Sequence, residues 1–358
     1  MRRARGMKVL ATVGVAIVAL GTAACGGKGN SGNATDGGSK KTVKVGLAFD
    51  IGGVGDKSFN DAAAAGLEKA KKELNIQTKP LEANKDETDN DKLSRLKLLC
   101  EGGYNPVIAV GFVYAGDPTS GPIASAAKAC PNTKFAIIDD ASVKAPNLAN
   151  LTFAEEQGSF LVGAAAALKS KTGKVGFIGG CQVDLIKKFE AGYTAGAKAV
   201  KADIKVDPYY LSTVADKCSG FNDPAKGQTA AEGMYDQGAD VVYQAAGGSG
   251  TGVFKAAKGK GKLAIGVDSD QYNTVAPELK DVILTSMLKR VDTAVYQFVK
   301  DEGEGKFTAG ETVFDLKADG VGYSTSGGKV DDIKTKLDDF KQQIIDGKIT
   351  VPSKPANG

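Results

Sequence analysis

The chain contains no histidine and no tryptophan, and only five cysteines and four methionines in 358 residues. Without an imidazole there is no His general base, no His metal ligand, and no Ser-His-Asp or Cys-His constellation. No Cys-x-x-Cys spacing occurs, which weakens any zinc-ribbon or dithiol redox reading. Excess charge is scarce too. Lys and Arg number 46 against 42 Asp and Glu, and four of the cations (Arg2, Arg3, Arg5, Lys8) fall in residues 1–24. Removing those four leaves 42 against 42, so the remainder is formally neutral and carries no basic footprint for nucleic acid. What is present is apolar material, 42% of residues, and 47 glycines. At roughly 150 residues per domain this length suits two domains with real cores.

Residues 1–24 read as an export signal: cations, then an apolar run from Val9 to Leu20, then small residues. The run is short for a permanent membrane span. Leu20-Gly21-Thr22-Ala23-Ala24-Cys25 resembles a bacterial lipobox, with Cys25 as the lipidated first mature residue and Thr22 where Leu is more usual. Residues 25–41 are Gly, Ser, Asn, Lys and Thr with little apolar content, a flexible tether reaching roughly 20 Å. These features predict a protein held by lipid on the extracytoplasmic face of the cell membrane. Cys100, Cys130, Cys181 and Cys218 allow three disulfide connectivities. Cys100 and Cys130 fall near the ends of predicted helices in consecutive βα units, which favours Cys100–Cys130 with Cys181–Cys218.

From Thr42 onward short β-branched runs alternate with helical patterns, the signature of an α/β fold with parallel sheets covered on both faces. The pattern then restarts. Lys174-Val175-Gly176-Phe177 echoes Lys44-Val45-Gly46-Leu47, Phe189 echoes Phe59 and Gly196 echoes Gly66, all at an offset of 130. Two doubly wound, Rossmann-like lobes follow, and a chain that crosses between them more than once forms a hinge over a ligand cleft.

Open α/β sheets bind ligands at the carboxyl ends of their strands. The glycine-rich loop after the first strand places Asp50 and Asn60 toward the cleft, with Asp56 or Ser58 capping the next helix and Phe59 on its first turn. This loop is neither a GxGxxG fingerprint nor a P-loop. Other strand ends supply Asp139, Gly247 with Gly248, Asp268, and Lys289. Three carboxylates facing one Lys repel phosphate but accept hydrogen bonds from sugar hydroxyls and ring N–H groups. Phe59 and Phe221 offer flat faces for stacking a base. No metal or other cofactor is called for.

The sequence resembles the basic membrane protein (BMP) family of ABC-transporter substrate-binding lipoproteins in the segments Gly55-Asp56-Lys57-Ser58-Phe59-Asn60, Gly158–Ala166, Val175–Gly180, Ala246–Gly252, Gly266–Gln271 and Leu284–Arg290. The resemblance runs from about Val43 to Pro352. It implies a type I periplasmic-binding-protein fold with a three-strand hinge. Residues 43–152 and about 285–311 would form one lobe, and residues 153–284 and about 312–358 the other. It also implies a purine nucleoside such as adenosine, guanosine or inosine as ligand, an ABC permease as partner, and no catalysis. By position Phe59 and Phe221 would sandwich the base, with Asp50, Asn60 and Asp139 on base and ribose. Asp268 and Lys289 would hold the ribose hydroxyls, while Gly247 and Gly248 admit backbone to the ligand. A monomer is expected. The competing readings are a sugar-binding or sensory receptor of the same fold and a nucleoside hydrolase.

Overall fold

The computed structural model describes residues 43–84 and 86–356. The expected signal, Cys25 and the tether lie outside them. Among the described residues twelve strands form two six-stranded sheets. In the first, β1 (Lys44–Ala48), β2 (Gln77–Leu81), β3 (Val107–Ala109), β4 (Phe135–Ile138) and β5 (Leu148–Phe153) are joined by the late strand β11 (Gly310–Phe314), in the order β11-β5-β4-β3-β1-β2. The second contains β6 (Lys174–Gly179), β7 (Lys205–Tyr210), β8 (Val241–Ala245), β9 (Leu263–Asp268), β10 (Ile283–Lys289) and β12 (Val321–Tyr323), in the order β12-β10-β9-β8-β6-β7. Every pairing is parallel except the antiparallel β10–β12 pair. The central strands are buried almost throughout, as parallel strands covered by helices on both faces must be.

The helices are α1 (Phe59–Leu74), α2 (Asp89–Glu101), α3 (Pro122–Ala129), α4 (Glu155–Lys169), α5 (Asp184–Val200), α6 (Pro224–Asp236), α7 (Gly250–Lys260), the short α8 (Gln271–Thr274), α9 (Val291–Gly303) and α10 (Lys334–Ile345). Local chemistry fixes several ends. Thr88 and Asp91 form a reciprocal capping box at the start of α2. Asp223 caps α6 with Pro224 in its first turn. Asn75 ends α1 in the left-handed conformation.

The internal echo has a packing cause. A Cβ on Gly66 of α1 would sit 2.4 Å from the Asp292 carbonyl oxygen of α9, and one on Gly196 of α5 would sit 1.9 Å from the Phe160 carbonyl oxygen of α4. In both halves the first helix lies backbone-close to the helix that follows a crossover, and only glycine permits that approach. The chain changes sheets after Phe153, after Lys289 and between β11 and β12, giving three crossings. The expected boundaries shift accordingly. Residues 285–289 belong to β10 in the second sheet, and residues 312–314 belong to β11 in the first, because the strands run on past those positions before crossing. Disulfides join Cys100 to Cys130 and Cys181 to Cys218. The first ties the end of α2 to the residue after α3. The second ties the end of β6 to the turn that carries Phe221. Among the described residues no helix is long and apolar enough to cross a membrane.

Candidate functional site

The carboxyl ends of both sheets face one cleft with an empty volume of about 530 Å³. Eight of the nine expected ligand-binding residues line it: Asp50, Phe59, Asn60, Asp139, Phe221, Gly247, Asp268 and Lys289. Gly248 does not. It follows Gly247 in the turn after β8, where a Cβ would lie 3.4 Å from Asn222 Oδ1 and 3.5 Å from the Phe221 carbonyl oxygen.

Asp139 and Asp268 occupy equivalent places, each one step beyond or at the end of its strand (β4 and β9), and both adopt left-handed backbone, with φ of 68° and 62°. Aspartate tolerates that conformation better than most residues. Between them lies Lys289, at the end of β10 and almost fully buried. Its Nζ is 2.5 Å from Asp139 Oδ2, 3.8 Å from Glu155 Oε1 and 4.0 Å from Asp268 Oδ1. It also lies 4.7, 5.3 and 5.6 Å from the ring centres of Phe59, Phe153 and Phe189. Burial works to discharge this ammonium, but Asp139, Asp268 and Glu155 outweigh it and push its pKa up to about 12. Asp139 Oδ1 is buried without a hydrogen-bond partner among the described residues, an acceptor facing the cleft.

Of the two expected caps in the loop after β1, one takes the role. Asp56 caps α1, accepting from the backbone N–H groups of Ser58, Asn60 and Asp61. Ser58 makes no cap bond. Its hydroxyl crosses the cleft and donates to Asp268 Oδ2 at 2.6 Å. Ser269 Oγ donates back to the Ser58 carbonyl at 2.9 Å, and Gln271 Nε2 to the Lys57 carbonyl at 2.9 Å. These three bonds latch the lobes in a closed arrangement. Asn60 accepts from the Asp50 backbone N–H at 2.9 Å, which fixes the strand end from which the Asp50 carboxylate projects.

Phe221 rides on a short helical turn, Ser219–Asn222, held by Ser249 Oγ donating to the Gly220 carbonyl and by the Cys181–Cys218 bond. Gly180 makes room for the ring: a Cβ there would lie 2.3 Å from Phe221 Cδ1. Phe112, in the turn after β3, meets Phe221 edge-on at 6.4 Å. Phe112, Leu185, Ile186 and Phe189 complete an apolar wall that the sequence reading did not assign to the site. For Phe189 a signal existed, its echo of Phe59.

Burial raises the Asp50 carboxyl to about 7, with Asp139 and Glu87 adding to it, and raises Asp268 to about 6, partly offset by Lys289 and the Ser58 hydroxyl. Glu155 rises to about 7 for the same reason, against the pull of Lys289 and Lys188. These three carboxyls therefore keep protons in the folded protein that they release in the unfolded chain, and their contribution to stability falls as pH rises from about 4 to 7. The melting temperature of the ligand-free protein is expected to be lower at pH 8 than at pH 5.5, with a shallower slope in Asp50→Asn. A flat or rising profile contradicts the assignment of these raised carboxyls.

Two α/β lobes linked by three crossings and closed over a cleft define a type I periplasmic binding protein. The profile of the Bmp family, described as ABC transporter substrate-binding protein PnrA-like, matches residues 43–355, and the chain belongs to that family. The ABC transporter nucleoside-binding protein BmpA of Lactococcus lactis subsp. cremoris is 37% identical, covering 97% of this chain and 99% of its own. Basic membrane protein A of Borreliella burgdorferi is 34% identical, covering 92% of this chain and 91% of its own. The crystal structure of an ABC transporter system solute-binding protein from Aeropyrum pernix K1 aligns with a TM-score of 0.74 at 29% identity, over 88% of this chain and 94% of that one.

Proposed function

We propose that this protein captures purine nucleosides between its lobes and passes them unaltered to an ABC permease, acting as a monomer held outside the cytoplasmic membrane by lipid on Cys25. The observation that carries the reading is the make-up of the cleft lining: the carboxylates of Asp50, Asp56, Asp139 and Asp268 against the single cation Lys289, beside the rings of Phe59, Phe112, Phe189 and Phe221. Such a surface repels phosphate, accepts hydrogen bonds from hydroxyls and ring N–H groups, and offers flat faces to a heterocycle. The name of the Lactococcus relative, a nucleoside-binding protein, agrees with it. In this reading Phe59 and Phe221 stack on the base. Asp50, Asn60 and Asp139 meet base and ribose, while Asp268 and Lys289 hold the ribose hydroxyls.

Adenosine, guanosine or inosine is expected to raise the melting temperature in proportion to ln(1 + [L]/Kd), with no free base released on incubation. A shift with simple sugars but none with nucleosides overturns the ligand assignment, and release of hypoxanthine from inosine overturns the assignment as a carrier. Cys25→Ser is expected to move the protein from the membrane fraction to the soluble fraction. Unchanged retention contradicts the lipid anchor.

A further inference from the structure

Glu155 is the first residue of α4, one position beyond Ala154, where the chain first leaves the β5 sheet for the other lobe. Its side chain is completely buried, yet it does not line the cleft. One carboxylate oxygen, Oε2, accepts from Lys188 Nζ at 3.1 Å, and Lys188 Nζ also reaches the Phe153 carbonyl at 3.4 Å. The other oxygen, Oε1, has no hydrogen-bond partner among the described residues and lies 3.8 Å from Lys289 Nζ. A carboxylate is not buried at this depth without an electrostatic reason.

Lys289 is the last residue of β10, so Glu155 and Lys289 flank two different crossings between the lobes. The Lys289 ammonium has three N–H donors. Asp139 takes one at 2.5 Å, whereas Glu155 and Asp268 stand at 3.8 and 4.0 Å, beyond hydrogen-bond reach. The ammonium is thus held among three carboxylates with donors left over, and Lys289 lines the cleft. Lys188 holds the Glu155 carboxylate, and Glu155 lies outside the cleft lining to which Asp139, Asp268 and Lys289 belong, so it draws on the ammonium from off that lining. Without it the ammonium is free to settle into the Asp139–Asp268 pair, and its remaining donors turn away from the ligand.

We propose that Glu155 is a positioning residue for ligand recognition, holding the Lys289 ammonium from behind so that its free N–H donors face the sugar hydroxyls of the bound ligand. This rests on the nucleoside reading above, in which Lys289 meets the ribose. Glu155 itself touches no ligand atom. Its effect is therefore specific to the part of the ligand that Lys289 holds, which a general contribution to folding would not be.

The test compares inosine with hypoxanthine, the same base without its sugar, by titration calorimetry on the wild-type mature protein, Glu155→Gln and Glu155→Asp. Glu155→Gln is expected to weaken inosine by about tenfold or more, the change that follows loss of one hydrogen bond to a charged donor, and to change hypoxanthine less than about twofold. Glu155→Asp, which only retracts the carboxylate, moves the inosine-to-hypoxanthine ratio in the same direction by less, and serves if the Gln variant does not fold. Equal losses for inosine and hypoxanthine, or an unaltered ratio in both variants, overturn the positioning role while leaving the nucleoside reading intact. A wild-type protein that binds no nucleoside overturns the reading and the role together.

Discussion

Replacing Lys289 with Met is expected to abolish measurable nucleoside binding and to cost the fold about 3–5 kcal/mol at pH 8, the range seen when one partner of a buried ion pair is removed. The methionine fills nearly the same space, so the loss is electrostatic. Asp139, Asp268 and Glu155 remain buried around the vacated charge, with Lys188 left on Glu155 alone. Asp268 and Glu155 already sit high, at about 6 and about 7. Without the ammonium they rise further, and protonation relieves the repulsion. The deficit of the variant against wild type should therefore shrink as pH falls toward 5.5. Denaturant unfolding of both proteins at the two pH values measures this. A variant as stable as wild type at pH 8 would mean that the carboxylates do not depend on Lys289.

Phe59→Ala is expected to weaken nucleoside binding by roughly 1–3 kcal/mol, the worth of one base–aromatic stack, with little change in melting temperature. Phe59 opens α1, is only partly buried, lines the cleft and packs on the outside of the main core cluster rather than within it, so most of the cluster's buried contacts survive its removal. Its ring also covers Lys289 Nζ at 4.7 Å, and losing that face exposes the ammonium to water. Calorimetry with inosine and a thermal melt separate the two possibilities. A large drop in melting temperature with unchanged affinity would make Phe59 a core residue.

Much of this architecture can be read in the amino-acid order because parallel strands and their helices alternate with clear punctuation. The strand-end rule brings out Asp50, Asp139 and Asp268, since each follows a run of apolar residues and glycine, and Lys289, which follows a mainly apolar strand. Strand β5 is harder to see: Leu148-Ala149-Asn150-Leu151-Thr152-Phe153 carries Asn150 and Thr152 inside, where Asn150 Nδ2 donates to the Asp140 and Val143 carbonyls. With that strand unmarked, its end is unmarked too, and Glu155 goes unnoticed. Ser58 looks like a helix cap because the spacing allows it. Only the tertiary approach of Asp268, 210 residues away, turns its hydroxyl across the cleft. Phe112 lies in a Gly-Phe-Val-Tyr turn with no polar neighbour to distinguish it from core. The lobe boundaries slip by a few residues because local periodicity does not say which sheet a strand joins.

In the proposed reading the latch and the ligand share a residue: Asp268 accepts from Ser58 across the cleft and stands 4.0 Å from Lys289, so closure and ligand capture would draw on the same carboxylate. Closing the lobes brings the two halves of the site together and excludes water from its charges, which strengthens each polar contact inside.

A crystal structure of the mature protein grown with inosine tests the central claim most directly. The account predicts an intact nucleoside in the cleft, its base against the Phe59 and Phe221 rings and its ribose hydroxyls on Asp268 and Lys289. An empty cleft at saturating inosine, or a nucleoside bound elsewhere on the surface, would contradict it.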